Sequence, residues 1–565
     1  MMAARTDAPA EAGGRELNLR DLRRVVERSQ GPREVLAIVN AGDGGLVEDQ
    51  LRRLRRELFR ADGATTVLAH EEPVRRGQLL GLLDAVRHWR EARGAFDPHS
   101  VALGVMMPGQ GTRLSPLTQR LHGIKPFLPM PVRHRAGGEW FTGAAASLYS
   151  WTLLACHLKR MGFRGVAWKW GDEPQIASNV LAKMHQDLSE ADAVRFGAQA
   201  VVTDDLAANK EWLLAAENTQ DLLLQVRRRP RARLLERFGV SSEGDRGFFQ
   251  AHIHLGSPAF SHLFLEEAET VFGGLPGCLD VDGYLFEALT HDPVAWRAEV
   301  ESDSGLRTLL AEHPDFYERV RELKGRIELR RGHPLVVKVI DLGEGLYWGD
   351  IGQLDKARAV FAALNAEGAE GDFARRLALM DDCHPDAFGN RLLGKCLVPS
   401  DGSVRDSVIV DSEIHPPASV RGAVIMDSEL GAASIVPGSV VLRGTVLGLR
   451  MGAEALSFAS VGREVVIAGR QVHTSIPTDP ARVSSGLEDW RADSRTKTPG
   501  KGLAYTEARF GNPGSFQRKF EQMRQRQVAP EVVEALVEEH FRLPLRREIR
   551  DIRSDHEPPK KPRTN

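Results

Sequence analysis

The chain of 565 residues is long enough for two to four domains and a large buried core. It is 42% hydrophobic and 27% charged, and 75 Lys+Arg against 77 Asp+Glu leave a formal net charge of −2, so no global field argues for nucleic acid or for a strongly basic partner. Cys156, Cys278, Cys383 and Cys396 are too scattered for a zinc site or a disulfide framework, and no apolar run approaches the ~20 residues that span a bilayer, so a cytoplasmic protein without a membrane partner is expected.

Residues 1–15 are small and polar and read as disordered, with an acid-bearing start unlike a signal peptide. A basic amphipathic helix is predicted over Glu16–Ser29. "EVLAIVNAGDGG" then reads as a buried strand ending in a Gly-rich turn, "LVEDQLRRLRRELF" as a helix, "ATTVLAH" as a strand and "RRGQLLGLLDAVRHWREA" as a helix. This alternation predicts a parallel sheet covered on both faces. It continues through "VMMPGQGTRLSPLT", the helix "AAASLYSWTLLACHLKRMG" and the strand "RGVAWKWGD", and less cleanly to about Asn365. The expected divisions are an extension (1–30), an α/β domain (31–365, with an upstream unit over 31–98), a helical linker (366–396), a repeat region (397–475) and a helical or disordered tail (476–565).

From about Leu397 single aliphatics recur among small and polar residues. Val408, Ile414 and Val420 are six apart, as are Val424 and Leu430, and Val440 and Val446, with phase slips between. A six-residue period with turns of Asp, Ser and Gly suggests a β-helix whose stacked turns bury a column of aliphatics. An irregular β-domain is the alternative. Beyond Pro480, "APEVVEALVEEHF" reads as a helix and "HEPPKKPRTN" as a disordered tail.

The stretch Val105–Thr118 follows an apolar strand and carries two glycines beside Gln110. Glycines let backbone N–H groups approach an anion with no Cβ in the way, although many strand–helix turns need glycine for geometry alone. Arg113 can place a guanidinium fork on phosphate oxygens. Lys125 precedes a proline in "KPFLPMPV", whose three prolines are expected to keep the segment extended, and it makes a second cation for the same phosphates.

The string G-x-G-T-R-L-x-P-L-T, seven residues, then K-P-x-L-P-x-P-V resembles the sugar-nucleotide pyrophosphorylase family, which joins a sugar 1-phosphate to a nucleoside triphosphate and releases pyrophosphate. The resemblance implies an α/β fold with a Rossmann-like three-layer nucleotidyltransferase core, a C-terminal left-handed hexapeptide β-helix, and possible homo-oligomers through that helix. It implies that Gly109, Gln110, Gly111 and Thr112 hold the triphosphate, that Arg113 stabilises charge on departing pyrophosphate, and that Lys125 contacts phosphate near the reacting centre. Pro108 departs from the pattern, since it has no N–H to offer a base.

Such chemistry sets two anions against each other, and Mg2+ held by carboxylates is the usual remedy. "VAWKWGDEPQIASNVLAKMHQDLSEADAV" resembles the family's strand ending in Gly-Asp with a His-bearing helix after it, which makes Asp172 a metal ligand. "GEGLYWGDIGQLDKA" resembles the family's Trp-x-Asp-Val-Gly segment, with Trp348 and Gly352 in register, which makes Asp350 the other. Helix capping is the plainer role for each acid, and Asp204 and Asp205 are the fallback pair. "EWLLAAENTQDLLLQVRRRP" resembles a segment ending in Glu-Lys-Pro whose Glu meets the sugar and whose Lys meets its phosphate; those positions are Arg228 and Arg229 here. Arg229 keeps the phosphate role, while Arg228 reverses a charge. "HIHLGSPAF" resembles the sugar-pocket strand, with His254 and Gly256 as candidates. The family's strand–helix unit after the Lys-Pro segment is short here and one of the same kind stands at Val35–Arg93, where "EEPVRRGQLLGLLDA" resembles the helix start beside the base. A rearranged core is therefore expected, with residues 35–70 in the same sheet as 101–106; a separate N-terminal domain is the rival.

Overall fold

A computed structural model describes residues 9–28, 30–58, 65–109, 111–121, 123–135, 138–238, 249–280, 284–479, 482–489, 503–508, 510–525 and 530–556. The chain divides into two compact units, one of Met1–Pro108 with Ala144–Trp348 and one of Gly109–Gly143 with Gly349–Asn565. Neither unit is continuous in sequence.

The first unit is mixed α/β. Its sheet contains β1 (Glu34–Asn40), β2 (Thr66–Glu72), β3 (Val101–Met106), β4 (Gly165–Trp170), β5 (Ala193–Gln199), β6 (Trp212–Ala216), β7 (Leu222–Val226), β8 (Phe249–His254), β9 (Ala259–Ser261) and β10 (Val337–Asp341). The order is β2-β1-β3-β4-β9-β5-β8-β6-β7, with β10 beside β5. The β2, β1, β3 and β4 strands pair in parallel, and β10 is parallel to β5. The short β9 turns the sheet antiparallel between β4 and β5. The upstream segment thus lies in the same sheet as Val101–Met106, as the rearranged reading requires.

β1 and β3 are buried along almost their whole length, which is why they read as continuous apolar runs rather than as alternation. Leu36, Ile38, Ala102, Val166 and Trp168 share one core with Leu79, Leu83 and Trp89 of the helix Gly77–Arg93 and with Phe264, Phe286, Phe316 and Leu323 of later helices. The N-terminal helix runs Pro9–Glu27, starting before the predicted Glu16. Asn18 fixes it: its Nδ2 donates to the carbonyls of Ala177 (2.8 Å) and Asn179 (2.7 Å), and its Oδ1 accepts from the N–H of Leu181 (3.1 Å). These bonds anchor the predicted helix, which extends back through residues 9–15 where composition reads as disorder. Residues 1–8 and the last nine residues of the predicted tail lie outside the described ones.

The second unit is strand-rich. Val408, Val424, Val440, Leu456 and Val472 pair in sequence, so each parallel step is sixteen residues. The six-residue spacing marks two steps around one turn, from Val408 to Ile414 to Val420; the third step, back to Val424, is the short one. That shortfall is the phase slip seen in the sequence. Two columns of corners close each turn with left-handed backbone. One holds Asp406, Gly422, Gly438, Glu454 and Arg470, the other Asp411, Asp427, Arg443 and Ala459. Asp and Gly tolerate that conformation best. Ile414, Leu430 and Val446, and Val420, Ile435 and Met451, fill the interior. On the remaining side the inward residues are Ile409, Ile425 and Val441, one position on from the predicted valines. Each fully buried aliphatic of this kind contributes about 1.5–3 kcal/mol.

The last parallel strand, Gln471–Asp479, also pairs antiparallel with Arg482–Asp489. His473 ties this hairpin to the turns through Ser460 Oγ (2.7 Å) and Ser485 Oγ (3.0 Å). The predicted tail helix is present as Pro530–Val537 and continues to His556.

Candidate functional site

The glycine loop belongs to the second unit. Gly109 (φ +117°) and Gly111 (φ +58°) both take backbone conformations that favour glycine. A Cβ on Gly111 would lie 2.4 Å from Thr118 Cγ2 and 3.1 Å from Lys125 Cβ, so that glycine is also needed for close approach. A Cβ on Gly109 would meet nothing within 4 Å, so that backbone borders open space. Gln110 lies outside the described residues. Thr112–Leu114 form one 3₁₀ turn in which Thr112 and Arg113 are exposed. The Arg113 guanidinium makes no hydrogen bond or ion pair among the described residues.

Lys125 stands beside Gly111, but not on an extended segment. Lys125–Phe127 is a second 3₁₀ turn, because Pro126 at its start has the φ a helical turn needs. The extended part begins at Pro129, which bridges to Thr142. Arg133 closes that ribbon, lying 3.4 Å above the Trp140 ring and 3.1 Å from Asp411.

Asp350 is in the same unit as Lys125. Its Oδ1 accepts from the N–H of Gly352 (2.7 Å), and its Oδ2 pairs with the Lys356 ammonium. Burial pushes this carboxyl up, but Lys356, the Gly352 N–H and the charge of Lys125 outweigh it and hold Asp350 below the usual carboxylate range. The helix Leu354–Ala362 has Gln353 at its N-cap, so Asp350 is not its cap. Lys356 was not read from the sequence; its signal is a lysine in the first turn of the helix six residues after the acid.

Asp172 lies in the first unit, buried two residues after β4. The turn around it is fixed by bonds from the Gly171 N–H to the Met106 carbonyl (3.0 Å), from Glu173 N–H to Ser147 Oγ (3.2 Å) and from Gln175 N–H to Ser150 Oγ (3.1 Å). The expected His-bearing α-helix is absent. Pro174 and the pairing of Gln175–Ile176 with Tyr347–Trp348 turn the chain extended instead, leaving only the 3₁₀ turn Leu181–Lys183. Asp172 therefore caps no helix. Asp204 and Asp205 fill the first turn of the helix Asp204–Asn209, capped by Thr203.

Beside β3 and β4 a small cavity of about 10 Å³, room for one water, is lined by Leu82, Met106, Trp168, Trp170 and Pro258 with Gln78, Lys169 and Ser257 as its polar groups. It includes the C-terminal residues of both strands, where open α/β sheets take ligands. Lys169 is buried, 3.4 Å from Ser257 Oγ and 3.9 Å from Glu173. A lysine between two tryptophans in a buried strand is the signal that could have found it. Gly256 (φ +71°) packs against Trp170, whose Nε1 would be 2.5 Å from a Cβ there.

The arginine segment after β7 has a different character. Arg229 pairs with Glu299, which is 2% exposed at its side chain, and with Asp303 at 3.7 Å. Arg237 also reaches Glu299 (2.9 Å), and Arg227 lies 4.0 Å from Glu211 and 3.8 Å from Asp303. Arg228 is exposed and its guanidinium has no hydrogen-bond or ion-pair partner among the described residues. His254 Nδ1 is 3.4 Å from Glu211. Burial raises the Glu211 pKa, but His254, Arg227 and Arg228 bring it down to about 2. Burial holds Glu287 well above the carboxylate range; Arg227 opposes this, and Glu211 and Glu299 add to it. Glu211, Glu287, Glu299 and Asp303 carry no motif and come from distant parts of the chain.

No family model matches this chain, and no curated protein matches it.

Proposed function

We propose that the protein is a nucleotidyltransferase that joins a nucleoside triphosphate to a sugar 1-phosphate and releases pyrophosphate. One observation carries the reading: the loop holds Gly111 at positive φ against Thr118 and Lys125, while Arg113 beside it is exposed and has no hydrogen-bond or ion-pair partner among the described residues. A tight backbone turn with an uncommitted guanidinium is what a chain of phosphates requires. Gly109, Gly111, Thr112 and the neighbouring Gln110 would receive the triphosphate. Arg113 would stabilise charge as pyrophosphate leaves, and Lys125 would meet phosphate at the reacting centre.

The order β2-β1-β3-β4 supports a nucleotidyltransferase core of Rossmann type with its upstream unit supplied from before the loop. Gly77 and Gln78 begin the helix that resembles the family's base-side helix, and Gln78 lines the cavity with Met106, Trp168 and Trp170. The sixteen-residue parallel step with two columns of left-handed corners supports a left-handed β-helix for the second unit.

Mg2+ is the implied cofactor: Asp350, in the second unit, offers the hard oxygen donors this ion takes and is kept ionised by its neighbours, and Asp172, in the first, offers the same donors. The ion, when bound, would supply positive charge to the phosphates. The protein's own part is to hold the phosphates on Arg113 and Lys125 and to aim the acceptor; no enzyme nucleophile is required. On the acceptor side Arg229 is committed to Glu299 and Asp303. Its exposed neighbour Arg228 is the better group for an acceptor anion. That observation favours a second reading in which the acceptor is another phosphomonoester or a sugar bearing an additional acid.

The test is pyrophosphate release from a panel of triphosphates and phosphomonoesters with Mg2+, for the wild type and Asp350→Ala. Release from at least one pair, reduced roughly 10²–10³-fold in the variant, is expected. Triphosphate binding with no release from any pair would overturn the catalytic reading in favour of a nucleotide-sugar-binding regulator.

A further inference from the structure

The glycine loop rests on a part of the chain that carries no motif. Residues 111–125 meet the C-terminal segment through an ion pair of Arg120 with Glu534 and at three further points. At Pro116, the Cβ lies 2.9 Å from where Gly486 would carry its own, in the strand Arg482–Asp489. At Gln119, Nε2 donates to the Phe516 carbonyl at 3.4 Å, both residues being buried. At Gly123 (φ +79°) a Cβ would come within 2.2 Å of the Phe520 ring, so the ring lies directly on the backbone there. Phe516 and Phe520 belong to the helix Phe516–Gln525. Lys519 anchors that helix from beneath, its buried ammonium donating to the Ser485 carbonyl at 2.8 Å.

These contacts bear on the loop's working groups. The Gly123 N–H donates to the Thr118 carbonyl at 2.8 Å, and Thr118 and Lys125 are the two residues against which Gly111 is pressed. A phosphate loop acts only when its donors are held in place before the ligand arrives. We infer that the C-terminal segment is a working part of the loop: Phe520 is a positioning residue that fixes the turn at Gly123 and through it Lys125 and Gly111. The inference deepens the proposed function and rests on it for its kinetic consequence only.

Hydrogen exchange and steady-state kinetics on the full chain test this together, with Phe520→Ala and Phe520→Leu. In Phe520→Ala, amides across residues 111–125 are expected to exchange about tenfold faster or more, while those of the stacked strands around Val424 and Val440 keep their protection. Phe520→Leu, which retains an apolar plug, is expected to restore most of the loop's protection. If pyrophosphate is released, kcat falls roughly 10²-fold in Phe520→Ala, while the KM for the triphosphate stays within about threefold. Unchanged exchange over 111–125 would overturn the inference. So would equal acceleration throughout the stacked strands, which would make Phe520 a prop for the whole unit. A wild type that releases no pyrophosphate would overturn the proposed function, and the exchange result would still decide the role of Phe520.

Discussion

The glycine loop and the arginine segment are both rich in signals for phosphate, yet they differ in what their cations already do. In the arginine segment Arg227, Arg229 and Arg237 face Glu299, which is buried, and Glu211 and Asp303, which are half-buried. In the loop Arg113 is exposed without a partner among the described residues, and the backbone at Gly109 borders open space. A guanidinium spent on a buried carboxylate cannot also be offered to a ligand without leaving that carboxylate alone, which is costly. On the proposed function, uncommitted charge would make the loop, and in the other segment Arg228, the places for an anion.

Four substitutions break or sharpen this contrast, beginning with the strongest. Arg229→Ala leaves Glu299 buried without one of its two arginines, and thermal or denaturant unfolding should show a loss of about 3–5 kcal/mol. A loss below 1 kcal/mol would mean that the pair is not structural. Next is the linkage at Glu211. Its folded pKa of about 2 lies below the ordinary 4.5, so its contribution is fully present above pH 4.5 and is lost as pH falls toward 2. The stability advantage of wild type over Glu211→Gln should be roughly 3 kcal/mol near neutral pH and vanish in acid; an advantage independent of pH would sink the ion-pair account. Gly111→Ala comes third. Strain at positive φ and the clash with Thr118 should cost about 1–3 kcal/mol of local order and abolish triphosphate binding. Retained binding would show that the close approach is dispensable. Last, Arg228→Ala should shift global unfolding by no more than about 0.5 kcal/mol while raising the KM of the acceptor.

How far the sequence was legible follows the range of the interactions. The α/β alternation, the two glycines and the turn residues of the repeat act over a few neighbours, and their elements stand where the pattern put them, from β1 to the helix Gly77–Arg93 and on to the corners at Asp411 and Asp427. The repeat's six-residue spacing was visible, but its sixteen-residue step was not, because the third side of each turn is shorter than the other two. What escaped is long-range pairing. The carboxylates that occupy Arg229 lie some seventy residues away, and Phe520 meets Gly123 across nearly four hundred. No local pattern encodes such partners. The His-bearing helix expected after Asp172 failed for a related reason, since Gln175–Ile176 pairs with Tyr347–Trp348 far along the chain. Among the described residues no helix is long and apolar enough to cross a bilayer.

The account rests on positive charge held in reserve at the glycine loop. Equilibrium binding of a nucleoside triphosphate with Mg2+ to wild type and to Arg113→Ala tests it most directly. Affinity for the triphosphate should fall in the variant by roughly tenfold or more, as expected when a charge-assisted hydrogen bond worth about 1.5–3 kcal/mol is removed. Equal affinity in the two proteins, or no binding of any triphosphate to the wild type, would contradict it.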